Sequence, residues 1–305
     1  MQAEQPQPIL CKAAVAYGPK QPLKYENVWV DPPREGEVRI KVISNALCHT
    51  DVYTLDGCDP EGAFPCIVGH EATGVVESIG KGVTSVQVGD IVIPCYTPQC
   101  GEKSCIYCQH PKTNLCPKVR ATQGKGMMPD GTSRFLTEDK SKMIYHFMGC
   151  STFSEYTVIA EISAAKINPN ADLNKVCMIG CGVATGWGAV MNNTDVKPGK
   201  TVAVWGLGAV GLSVIQAAKI RGAKKIYAID INPKKFENAK KFGADDCFQP
   251  TKEKSGKDFL MENEKWGIDY TYDCTGNVAI MREALESAHR GWGESCVIGV
   301  AEAGK

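Results

Sequence analysis

Four cysteines, Cys100, Cys105, Cys108 and Cys116, fall within seventeen residues in a polar stretch bounded by Pro98 and Pro117. Four thiolates this close can enclose one tetrahedral zinc with no open position, which is a structural rather than a catalytic arrangement. A second set has mixed donors: Cys48-His49-Thr50-Asp51 and Gly69-His70-Glu71. Sulfur with imidazole suits zinc, and a catalytic zinc has three protein ligands and one exchangeable position. A third ligand must then come from elsewhere, and the glycine-flanked Cys181 is better placed than Cys177, which sits in an apolar run. Taken singly, each of these is as readily an ordinary core residue.

A third constellation is Gly206-Leu207-Gly208-Ala209-Val210-Gly211, directly after the apolar stretch Thr201–Trp205 and at the start of a helical pattern. In that context Gly206, Gly208 and Gly211 permit a tight turn and close approach of backbone to a pyrophosphate, whose charge meets the helix N-terminus. Asp230 follows nineteen residues beyond Gly211. Its carboxylate would accept from the adenosine ribose and repel a 2′-phosphate, favouring NAD over NADP. Lys235 can reach the same ribose, although an exposed helix lysine accounts for it equally well.

These residues need elements to hold them. Residues 37–43 alternate Val38, Ile40 and Val42 with Arg39 and Lys41, the period of a half-buried strand. Residues 73–79 and 90–93 are further strand-like runs, so the chain to about 170 reads as mainly β with long loops. After Lys197-Pro198-Gly199 the texture changes. Strands are expected at 201–205, 225–230, 268–274 and 295–300, and helices at 210–221, 234–242 and 278–288. Strands alternating with helices give a doubly wound parallel sheet. The chain therefore divides into residues 1–175, a mainly β domain, and 176–305, a doubly wound domain with the glycine motif.

Composition bounds the partners. The 305 residues are 43% hydrophobic and 22% charged, with a formal net charge of zero and basic residues interspersed among acidic ones. No basic footprint for nucleic acid or an anionic membrane exists. Residues 1–8 are polar and lack a signal peptide's apolar run, which predicts a cytoplasmic protein. Fifteen cysteines without a secretory signal favour metal ligation over disulfides.

The run Gly69-His70-Glu71-Ala72-Thr73-Gly74 with Gly80, taken with Cys48-His49-Thr50, the four-cysteine loop and the glycine motif in the same order, resembles the zinc-containing medium-chain alcohol dehydrogenases over essentially the entire chain. The resemblance implies a GroES-like β domain with two zincs and a Rossmann domain with NAD, the active site lying in the cleft between them. Cys48, His70 and Cys181 become the catalytic zinc ligands, with Glu71 close behind the metal. Asp51 becomes the hydrogen-bond partner of the ligating histidine, where a carboxylate fixes the tautomer. His49 would meet the cofactor pyrophosphate and Thr185 the nicotinamide. Zinc would act as a Lewis acid on the alcohol during hydride transfer, with Thr50 carrying the proton outward.

The subclass is carried by Asp59-Pro60-Glu61-Gly62, Lys112-Thr113-Asn114-Leu115-Cys116, Thr122-Gln123-Gly124-Lys125-Gly126 and Pro129-Asp130-Gly131-Thr132-Ser133-Arg134-Phe135. These resemble the glutathione-dependent formaldehyde dehydrogenases, or class III alcohol dehydrogenases, whose substrate is S-hydroxymethylglutathione and whose second activity reduces S-nitrosoglutathione. The resemblance places Arg120, aided by Arg290, on a substrate carboxylate, and Asp59 and Glu61 opposite its ammonium group. Lysine is commoner than arginine at position 290 in that family. The family's structural loop usually has two residues between its first and second cysteines, where this chain has four. Family members are homodimers that continue beyond the equivalent of Lys305 through the strands of the dimer interface, so the chain is expected to be a C-terminally incomplete piece of an active parent.

Overall fold

In the computed structural model the described residues are 5–301 and 304. Residues 1–4 of the polar N-terminal stretch, and the chain's last residue, lie outside them. The chain forms two compact units, Met1–Cys181 and Gly182–Lys305.

The first unit is built on ten strands: β1 (Ile9–Ala16), β2 (Lys24–Val30), β3 (Glu37–Ala46), β4 (Cys66–Ile67), β5 (Glu71–Ile79), β6 (Ile91–Pro94), β7 (Phe135–Thr137), β8 (Met143–Ile144), β9 (Tyr156–Ala160) and β10 (Ala164–Lys166). They form two antiparallel five-stranded sheets, ordered β4-β1-β2-β7-β8 and β10-β6-β5-β3-β9. Val28, Val30, Ile67, Phe135 and Ile144 pack one core, and Val38, Ile40, Val76, Val92 and Ile159 another. Strand β3 runs three residues beyond its expected end and carries two register shifts, after Arg39 and after Val42. Its alternation breaks at Arg39, which is buried rather than solvent-facing. The buried guanidinium is compensated there: Nε donates to Glu77 at 2.6 Å and Nη1 to the carbonyl of Gln7 at 2.8 Å.

The second unit holds β11 (Thr201–Trp205), β12 (Lys225–Ile229), β13 (Asp246–Phe248), β14 (Tyr270–Asp273) and β15 (Glu294–Val297), all parallel, in the order β13-β12-β11-β14-β15. Every residue of β11 is buried, as expected of a central parallel strand. The strand order reverses between β11 and β14, the place where an open α/β sheet leaves a crevice outside its carboxyl ends. Helices Ala209–Ile220, Phe236–Phe242 and Val278–Ser287 lie where the periodicity placed them, within two residues at each end. Strand β14 spans Tyr270–Asp273, shorter than the expected 268–274. Strand β15 stops at Val297 rather than 300, because the amides of Ile298 and Gly299 both turn onto the carbonyl of Asp273. A further helix, Gly256–Asn263, was not anticipated, although its capping box is written in Ser255 and Asp258.

Candidate metal centres and nucleotide cradle

Cys48 caps the short helix His49–Leu55 in extended conformation, and Asp51, three residues on, closes the capping box. One carboxylate then organises two distant segments. Asp51 Oδ2 accepts from the Cys48 amide at 3.0 Å, while Oδ1 accepts from the Gly69 amide at 3.0 Å and lies 3.2 Å from His70 Nδ1. Gly69 has φ +93°, and a Cβ there would stand 2.3 Å from the Phe153 ring, so the turn that delivers His70 requires glycine.

With Nδ1 facing Asp51, His70 Nε2 is fully buried and has no hydrogen-bond partner of normal geometry. It points into a group formed with Cys48, Cys181 and Glu71, whose donor atoms all lie within 4.8 Å of one another. Cys177 is elsewhere, its sulfur 3.7 Å from the carbonyl of Asn174. The Cys181 thiol beside Cys48, working against burial and helped by His70 and Thr50, lowers the Cys48 thiol to about 3. Cys181 is pushed upward by the same contact. Two sulfurs this close cannot both ionise unaided, whereas a shared divalent cation lets both do so. Burial opposes charge on His70, yet Asp51 and the neighbouring Cys48 sulfur raise it to about 9. Two sulfurs, one imidazole with an orphaned buried nitrogen and an adjacent carboxylate are a donor set that fits zinc.

Sequence reasoning missed the walls of this site. Tyr96 sets its ring edge-on to His70, with centroids 5.3 Å apart, and its hydroxyl 3.5 Å from Cys181 Sγ. Phe147 covers His70 from 6.0 Å. Neither residue belongs to a motif. Thr50 Oγ1 lies 3.5 Å from Cys48 Sγ, and His49 is exposed at the helix start.

The four-cysteine loop also closes. Cys100 and Cys108 sulfurs are 3.7 Å apart, and those of Cys105 and Cys116 are 3.9 Å apart. Sulfurs at zinc–thiolate distance from a common tetrahedral centre stand about 3.8 Å apart. The four residues between Cys100 and Cys105 therefore do not prevent closure.

In the second unit, Gly206 has φ +88°, and a Cβ on Gly211 would sit 1.9 Å from the Gly206 carbonyl oxygen. A Cβ on Gly208, at the N-cap of helix Ala209–Ile220, would meet nothing within 4 Å. Two glycines serve packing and the middle one borders open space, the division expected of a pyrophosphate cradle. Asp230, just past β12, is buried; its carboxylate accepts from the amides of Leu207 at 2.7 Å and Asn232 at 2.8 Å. Burial pushes this carboxyl up, but those amides and Lys235 hold it below the usual range. Lys235 sits in a 3-10 turn, Pro233–Lys235, with its ammonium 2.9 Å from Asp230. These residues fit NAD.

Of the residues expected to meet substrate, Arg120 and Glu61 form an ion pair at 3.1 Å, both about half exposed. Asp59 accepts from the Thr54 hydroxyl at 2.8 Å and from the Glu61 amide at 2.9 Å. Arg120 also lines a cavity of about 240 Å³ with Tyr96, Asn114, Leu115, Gln123 and Met148. Thr185 lies in the helix Gly182–Gly188 of the second unit, and Arg290 is exposed there before β15.

Comparison with known proteins agrees with this geometry. The alcohol dehydrogenase GroES-like domain family matches residues 34–169, and the zinc-binding dehydrogenase family matches residues 209–305. The chain is 58% identical over 304 residues to an alcohol dehydrogenase class-3 of Caenorhabditis elegans, covering 98% of this chain and 78% of that one. It is 58% identical over 295 residues to an S-(hydroxymethyl)glutathione dehydrogenase of Escherichia coli, covering 96% and 79%. Among solved structures, an alcohol dehydrogenase zinc-binding domain protein from Burkholderia ambifaria superposes with TM-score 0.89 at 32% identity, covering 98% of this chain and 79% of that one. Benzyl alcohol dehydrogenase from Acinetobacter calcoaceticus gives 0.88 at 29%, covering 97% and 79%. The chain belongs to the zinc-dependent alcohol dehydrogenase family, in its class-3, S-(hydroxymethyl)glutathione dehydrogenase branch.

Proposed function

We propose that this protein oxidises S-(hydroxymethyl)glutathione and other primary alcohols with NAD, and in the opposite redox sense reduces S-nitrosoglutathione with NADH. The observation that carries the chemistry is the buried, partnerless Nε2 of His70 beside the sulfurs of Cys48 and Cys181. Cys48, His70 and Cys181 would hold the catalytic zinc, and Cys100, Cys105, Cys108 and Cys116 a structural one. Bound there, zinc would supply Lewis acidity toward the alcohol oxygen, and NAD would be the hydride acceptor.

The chain's own residues do the rest. Asp51 holds the proton of His70 on Nδ1, which leaves the Nε2 lone pair for ligation. Thr50 Oγ1 can accept and donate at once, so it passes the alcohol's proton outward. Gly206, Gly208 and Gly211 admit the pyrophosphate, and Asp230 and Lys235 take the adenosine ribose. His49 and Thr185 serve the pyrophosphate and nicotinamide.

The glutathione portion carries two carboxylates and an ammonium. Arg120 suits a carboxylate, and Asp59 and Glu61 suit the ammonium, with Arg290 a further cation. Exposed ion pairs such as Arg120–Glu61 contribute about 0–1 kcal/mol, so the substrate can exchange with this pair at little cost. A cytoplasmic setting is supported by fifteen free cysteines, and no helix among the described residues is long and apolar enough to cross a membrane. The family resemblance supports a homodimer, and residues 1–175 and 176–305 serve as catalytic and nucleotide domains. NADH formation from formaldehyde, followed with and without glutathione, tests the assignment. Dependence on glutathione is expected; a rate indifferent to it would overturn the substrate.

A further inference from the structure

Gln123 is buried at the last position of the helix Pro117–Gln123. Its amide nitrogen donates to the carbonyl of Tyr96 at 2.6 Å and to that of Met148 at 2.9 Å, so both amide hydrogens are spent on loops 27 and 25 residues away. Each loop carries one of the aromatic walls of His70. Tyr96 itself presents its ring edge to the imidazole and its hydroxyl to Cys181 Sγ. Met148 follows Phe147, the other ring against His70, in a tight turn where Met148 and Gly149 both have positive φ, 53° and 65°. The turn packs against this helix: a Cβ on Gly149 would stand 3.3 Å from Val119 Cγ1 and 3.4 Å from Gln123 Nε2. Cys116 of the four-cysteine loop is the N-cap of the same helix, which also carries Arg120.

The geometry points to Gln123 as a positioning residue that clamps the two-sided aromatic collar of His70 and ties the four-cysteine lobe to the Cys48–His70–Cys181 centre. Only a side chain with two donors and this length does so. Both bonds are part-buried, and losing the donor leaves each carbonyl without its protein partner. The turn and the Tyr96 loop then relax, and His70 and Cys181 lose the walls that keep their donor atoms converged. This inference rests on reading Cys48, His70 and Cys181 as metal ligands and not on which alcohol is oxidised.

The test is the rate at which a chromogenic chelator removes metal from the full chain, together with the ligand-field spectrum after cobalt replaces zinc. Gln123→Met keeps the length and removes both donors. Metal at the cysteine–histidine centre should leave about tenfold faster, the scale seen for residues supporting ligands. The cobalt bands of that centre should shift while those of the four-thiolate site keep their position. Should Gln123→Met fail to fold, Gln123→Glu measured at mildly acidic pH retains one donor and should release metal at an intermediate rate. Unchanged release and unchanged bands in whichever variant folds would overturn the inference, even with a lowered melting temperature, because that pattern marks a structural role alone. A chain that holds no metal at Cys48, His70 and Cys181 before mutation would instead overturn the ligand reading.

Discussion

Asp51 sits between Cys48 and His70: one carboxylate oxygen accepts the Cys48 amide at 3.0 Å and the other lies 3.2 Å from His70 Nδ1. A single acidic side chain thus sets the position of a thiol and the tautomer of an imidazole that are 22 residues apart in the chain. Asp51→Asn keeps the shape but not the charge, and offers an amide that can face Nδ1 the wrong way. Zinc affinity at this centre is expected to fall about 10- to 100-fold, read by chelator competition. An unchanged affinity would separate Asp51 from the metal.

Cys181 and Cys177 are four residues apart, and only the first joins the cluster. Cys181→Ser should reduce bound zinc from two to one per chain by elemental analysis. Cys177→Ser should leave two, its sulfur packing in the core against the Asn174 carbonyl.

The glycine cradle separates stability from binding. Gly211→Ala forces a methyl group to within 1.9 Å of a backbone oxygen and should cost about 1–3 kcal/mol of stability, visible as a lower melting temperature. Gly208→Ala meets no atom of the protein, so the fold should tolerate it. The methyl then stands where the pyrophosphate belongs, and NAD should bind about tenfold more weakly, roughly 1.4 kcal/mol, in a fluorescence titration. Equal NAD binding by Gly208→Ala and the wild type would remove the cradle from the reading.

Asp230 and Lys235 form an ion pair at the edge of the nucleotide crevice. Asp230→Ser removes the charge that repels a 2′-phosphate and releases the Lys235 ammonium toward it. The ratio of kcat/KM for NADP to that for NAD should rise by at least about tenfold, since like charges in contact cost several kcal/mol.

His146 is buried, and its Nε2 accepts the Arg134 amide at 3.1 Å. Burial, reinforced by the Arg134 guanidinium, pulls it down to about 3 from the ordinary value near 6.5. The folded state therefore refuses a proton that the unfolded chain binds. Its contribution is fully present above pH 6.5 and is lost as pH falls toward 3, at up to about 1.4 kcal/mol per pH unit. His146→Gln keeps an acceptor without a titrating group. Denaturant unfolding across this window should show a shallower pH dependence for the variant; identical slopes would exclude His146 as the cause.

What was legible in the sequence was whatever the chain keeps local. Cys100, Cys105, Cys108 and Cys116 were legible as one set because four thiols at metal-ligand spacing crowd into seventeen residues, and the glycine motif follows its strand directly. The parallel sheet was legible from buried runs alternating with helical periods, because those periods are set by backbone geometry alone. The convergence of Cys48, His70 and Cys181 was reached through family resemblance, since the residues themselves only narrowed the third ligand to Cys181 over Cys177. Tertiary structure alone decided the rest. It buried Arg39 against Glu77, turned the chain at Ile298, gave Lys235 to Asp230, and set Tyr96, Phe147 and Gln123 around His70. Apart from the local Lys235–Asp230 pair, those contacts join segments tens of residues apart, and nothing in the spacing of one strand or loop records which carbonyl a distant glutamine will reach.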